Sequence, residues 1–183
     1  MSLPDLAVLL HVIFVIMWLG GGLALLVGAE VMRRKRGPAS VLVVVDIVAL
    51  LGPGYFVPIS ILTLLTGLVA AWMGPGFGEL WVALGIAGFA ATFLTGILLI
   101  KPRAEKLAAS TTGGQVPQGV LLGQADNLVT IARFDYVVLF LVVAVMVLKP
   151  AATDIAVLGA MAAAAAIGAR LTIVKGLRGE AVA

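Results

Sequence analysis

The run Leu9–Ala29, LLHVIFVIMWLGGGLALLVGA, contains no acidic or basic side chain apart from a single histidine. At about 1.5 Å per helical residue it is long enough to cross a hydrocarbon core of about 30 Å. Apolar runs of comparable length recur along the chain. Of 183 residues, 62% are hydrophobic and 11% charged, whereas soluble domains carry about 25% charged residues. These features specify an all-α, polytopic transmembrane helix bundle whose immediate partner is the lipid bilayer.

Several functions are excluded by what is missing. With no cysteine, the chain has no disulfides, thiolate zinc sites, thiol catalysis or iron–sulfur clusters. One histidine and no cysteine do not assemble a conventional zinc or blue-copper site. The methionines Met17, Met32, Met73, Met146 and Met161 are scattered and read as packing residues. Phosphate loops, serine elbows and dinucleotide fingerprints are absent. The net charge of +3 does not indicate nucleic acid, because the basic residues cluster at helix ends, where the positive-inside rule and anionic headgroups account for them. MSLPDLAVLL lacks the basic start of a cleaved signal and is expected to be retained as the first helix.

The punctuation divides the chain into five spanning helices, at about 4–32, 55–73, 79–100, 127–148 and 154–173. Pro4 and Asp5 suit a helix start. Arg33-Arg34-Lys35-Arg36 followed by Gly37-Pro38 closes helix one on the cytoplasmic side and leaves the N-terminus outside. Between Ala39 and Met73, Gly52-Pro53-Gly54 and Pro58 are expected to break the apolar run. This yields a short interfacial or half-helical segment, 40–51, and a separate second span. The basic residues Lys101, Arg103 and Lys106 precede an expected cytoplasmic loop, about 104–125, with the polar run Ser110–Gln115 at its heart. Lys149-Pro150 closes helix four outside, and Arg170, Lys175 and Arg178 place the C-terminus inside the cytoplasmic (inner) membrane.

Small residues at four-residue spacing permit close helix approach. They occur as Gly20, Ala24 and Gly28, as Thr63, Gly67 and Ala71, and as Gly88, Thr92 and Gly96. Two readings stay open: packing within one bundle, and a homodimer seam along helix one or five.

Chemistry has one natural focus. An ionisable residue inside the membrane is a functional candidate by default, and at 100° per residue His11, Trp18 and Gly22 share a stripe flanked by Phe14 and Val15. A ligand, an aromatic wall and a glycine floor suit a planar macrocycle; the plainer reading is a histidine hydrogen-bonded to another helix. His11 also stands as the candidate metal ligand. Lys149 and Glu79 at the outer helix ends can complete its layer or simply snorkel to the interface. At the inner side, Asp46 is expected to pair with Arg133, while Arg133 and Asp135, two residues apart, diverge around their helix.

The pattern Leu10-His11 with Trp18, Gly20 and Gly21, together with Thr66-Gly67-Leu68, Lys101-Pro102-Arg103, Arg133-Phe134-Asp135 and Met146-Val147-Leu148-Lys149-Pro150, resembles a group of small bacterial membrane proteins. The group comprises CopD-type copper-resistance domains, the membrane protoporphyrinogen oxidase and domain of unknown function 2269, the last most closely. The resemblance implies a bundle of four or five helices whose first-helix histidine, His11, is a candidate haem or metal ligand, associated with b-type haem in the oxidase branch, with Lys149 a looser counterpart. The activity it implies is electron transfer or porphyrin oxidation. No second histidine exists for a bis-histidine haem, which leaves five-coordination, a His–Met pair, or two His11 rings across a dimer axis. The alternatives are a non-redox transporter and an accessory subunit that binds another membrane or redox partner.

Overall fold

The computed structural model describes residues 2–113 and 116–180, with side chains over 2–111 and 116–172. Five helical stretches are long and apolar enough to cross a membrane: Leu3–Arg36, Pro38–Met73, Leu80–Thr111, Gln118–Leu148 and Ile155–Thr172. Within them lie α1 (Leu3–Arg36), α2 (Val41–Leu51), α3 (Val57–Met73), α4 (Leu80–Thr95), α5 (Lys101–Gly113), α6 (Gln118–Leu148) and α7 (Ile155–Glu180).

Helix α1 starts with a capping box: the Asp5 amide donates to Ser2 Oγ at 3.3 Å, and the Ser2 amide donates to Asp5 Oδ2 at 3.0 Å. Two otherwise orphaned first-turn donors are thereby satisfied. It stops at Gly37, whose φ of 87° is open to glycine and strained for other residues.

Two expectations need correction. Gly52-Pro53-Gly54 does not split the second span. Gly52–Phe56 forms a π-helical turn that joins α2 to α3, and the Val57 amide reaches back to the Gly52 carbonyl. A proline ring inside an α-helix collides with the carbonyl four residues earlier; widening one turn removes the collision without breaking the helix. The same device recurs at Gly96–Ile100, immediately before Pro102, so span three continues directly into α5.

The second correction concerns the expected loop at 104–125. It is largely helix, with α5 running to Gly113 and α6 starting at Gln118. Of its polar run, Ser110 and Thr111 return their hydroxyls to the carbonyls of Lys106 and Leu107, and Gly114 and Gln115 lie outside the described residues. Ala104, Leu107, Leu121, Ala125, Leu128 and Val129 form a core with Ala29, Val41, Val44 and Val45. Burial of these apolar stripes supplies the ordering force that polar composition alone conceals. Helix α1, at 34 residues, is about 51 Å long and α6 is nearly so. Both therefore outrun the hydrocarbon, and this core sits at the basic end of the bundle.

Helix α1 packs on α3, α4 on α6, and α6 on α7, while α3 and α4 barely touch. The first two spans thus form one pair and the third and fourth another. Close approaches occur where glycine permits: a Cβ at Gly67 would collide with His11, at Gly88 with Val142 and at Gly168 with Val137. Nothing lies within 4 Å of a Cβ placed on Gly20 or Gly28, so that stripe of α1 looks away from the bundle.

Candidate functional site

Between the two helix pairs lies a half-open cavity of about 160 Å³. It follows α1 from Trp18 to Ala29, about 16 Å at 1.5 Å per residue. Both π turns line it, through Gly52, Phe56, Gly96 and Ile100. Its walls are otherwise mostly apolar, with Lys101 at one end and four polar side chains deeper among them: Ser60, Thr92, Asp135 and Tyr136.

The hydroxyls among these are already committed. Ser60 Oγ donates to the Val57 carbonyl at 2.9 Å, and Thr92 Oγ1 donates to the Phe89 carbonyl at 3.0 Å. Tyr136 Oη donates to the Leu19 carbonyl of α1 at 2.8 Å. That tyrosine fits because position 22 is glycine, where a Cβ would collide with Oη. Asp135 differs from the other three. It is 9% exposed, and it has no hydrogen bond or ion pair among the described residues. Lys101 stands at the basic end of the cavity, half-exposed, with Nζ 3.2 Å from Glu105.

The residues expected from sequence are distributed over three places. Trp18 and Gly22 are on the cavity wall, and Trp18 tilts against Phe89 with ring centroids 5.3 Å apart. His11 is not among the cavity-lining residues. Its Nδ1 lies 2.9 Å from the Thr63 carbonyl, and its ring lies over Gly67, where a Cβ would come within 2.8 Å of Cε1. Phe14, one turn further along α1, is half-buried and also off the cavity. His11 therefore faces α3 and not the cavity. Lys149 caps α6 in the left-handed conformation, and its Nζ lies 5.3 Å from the centroid of Trp81. It is a helix-end residue engaged with an aromatic face.

The expected Asp46–Arg133 pair does not form. Arg133 Nη2 lies 3.0 Å from Glu30 Oε2, and Arg33 Nη1 lies 3.0 Å from Asp126, so two ion pairs clamp α1 to α6. Asp46 is exposed on the other face of α2. Glu30 is one turn before the basic run of α1, and the arginine on the facing helix takes the carboxylate at its own height.

The model of the family described as predicted integral membrane protein, DUF2269, matches residues 5–150. The chain belongs to this family. The match includes every cavity-lining residue and ends before α7. No curated protein and no solved structure matches the chain. Asp135 was legible in the sequence as one half of a diverging pair; its place on the cavity was not, because that depends on the two helix pairs standing apart.

Proposed function

We propose that the protein binds a small apolar ligand within the membrane, in the cavity between its two helix pairs. The observation that carries this reading is the cavity itself, apolar over most of its wall, with four polar side chains grouped along it. Binding sites take this form, a hydrophobic pocket with few convergent polar groups. The two π turns add to it, since such turns recur at functional sites and here both face the same space. A carrier or transporter of a lipophilic compound in the cytoplasmic membrane is the activity class that follows.

Trp18 supplies the assay, because its ring lies on the wall. In a W72F/W81F background it is the remaining tryptophan, and 4-bromotoluene, a heavy-atom quencher, should quench it saturably in nanodiscs. Ala132→Phe and Val48→Phe, which place a ring in the cavity, should abolish the saturable part. Quenching that is unsaturable and indifferent to both variants overturns the reading.

Haem b on His11 is the second reading, motivated by the resemblance to protoporphyrinogen oxidase and CopD-type domains. One contact favours it: if Nδ1–H is committed to the Thr63 carbonyl, Nε2 keeps its lone pair, as in many metal-bound histidines. A Soret band in the same preparation, lost in His11→Ala, would favour this reading over the first.

A further inference from the structure

The hydroxyl groups on the cavity wall are all of one kind. Each hydroxyl proton is committed to a backbone carbonyl: Ser60 to Val57, Thr92 to Phe89, Tyr136 to Leu19. What these groups turn toward the cavity is therefore lone pairs.

Asp135 is the fourth polar group, and it is more than nine-tenths buried on the cavity wall. The cation two positions along α6 and the one on the cavity wall each have a carboxylate partner. Arg133, two positions away, is held by Glu30 at 3.0 Å, and Lys101 is held by Glu105 at 3.2 Å. A carboxylate in such surroundings is costly without a counter-charge or donor, and within a membrane it finds one or is functional. The cavity thus offers an apolar body site, hydroxyl acceptors and one acid with no partner among the described residues.

From this we infer that the ligand is a lipophilic cation, an apolar ring or chain carrying a protonated amine, whose ammonium group is held by Asp135. The inference rests on the cavity being a binding site and adds its charge preference. An ammonium brings donors for Asp135 and for the hydroxyl oxygens of Ser60 and Thr92. A carboxylate or phosphate ligand would meet lone pairs and a like charge.

The test uses three quenchers of one shape against Trp18 in the W72F/W81F protein in nanodiscs: 4-bromobenzylamine, cationic at pH 7, neutral 4-bromotoluene and anionic 4-bromobenzoate. The amine should bind at least about tenfold tighter than the neutral compound, as expected for a charge-assisted hydrogen bond in low dielectric. The benzoate should bind weakest. Asp135→Asn, which keeps the shape, should abolish the amine's advantage and leave 4-bromotoluene unchanged. Asp135→Glu should retain part of it, and Thr92→Val, which removes an acceptor and keeps the volume, should reduce it. Equal binding of amine and neutral compound, or an advantage that survives Asp135→Asn, overturns the charge preference while the cavity remains a binding site. Saturable quenching by none of the three overturns both.

Discussion

Gly67 is a single hydrogen wide where His11 needs room, and the imidazole packs directly against it. A Cβ at position 67 would come to 2.8 Å from Cε1 and 2.9 Å from Nδ1 of the ring. Backbone on one side and an imidazole anchored to Thr63 on the other leave little slack. Gly67→Ala should therefore push the ring off the carbonyl and destabilise the protein by about 1–3 kcal/mol, the usual cost of overpacking. His11→Ala alone should cost less, about 1 kcal/mol. The Thr63 carbonyl also accepts from Thr66 Oγ1, and interhelical hydrogen bonds in membranes are individually modest. The double variant should recover much of the Gly67→Ala loss, a coupling that a double-mutant cycle of detergent melting temperatures measures. Strict additivity would mean that the ring and the glycine are independent. The sequence made His11 conspicuous and left its role open between ligand and packing group; Gly67 was legible as a small residue, and its partner was not, since a glycine's neighbours are set by the helix opposite.

At the scale of elements, the prolines carried two messages and the sequence made only one readable. Pro53, Pro58 and Pro102 mark places where an α-helix cannot continue unchanged. Whether the chain then turns or widens by one residue depends on neighbours that hold it straight. The apolar stripes in α5 and the start of α6 were hidden for a related reason. Ala104 and Leu107 are separated from Leu121, Ala125 and Leu128 by a polar, glycine-bearing stretch, so composition reads as loop although each half has helical spacing. Their burial has a measurable consequence. Leu107 is 2% exposed, so Leu107→Ala should cost about 2–5 kcal/mol, as core leucines do. In a solvated loop the same change would fall within about 0.5 kcal/mol. Thermal unfolding of the two proteins in detergent separates these outcomes, and a melting point that does not move would mean that the basic end lacks this core.

For the whole molecule, the distribution of charge predicts which way the bundle faces. Arg33, Arg34, Lys35 and Arg36 end α1, Lys101, Arg103 and Lys106 open α5, and Arg133 reaches Glu30 one turn inside the same end. The opposite end carries Lys149, engaged with Trp81. Basic residues near span ends are retained on the cytoplasmic side, and the two clamps between α1 and α6 hold that end together as one block. On that rule Ala104, Leu107 and Leu121 are expected on the cytoplasmic side, and the turns at 74–79 and 149–154 outside. Because the chain has no cysteine, introduced thiols report position without background. In intact cells, Thr153→Cys should react with a membrane-impermeant maleimide, and Gln118→Cys should react only after the membrane is opened. The reverse pattern would invert the bundle. The acidic cavity would keep its chemistry, and the basic end, with Lys101 beside the cavity, would face outward.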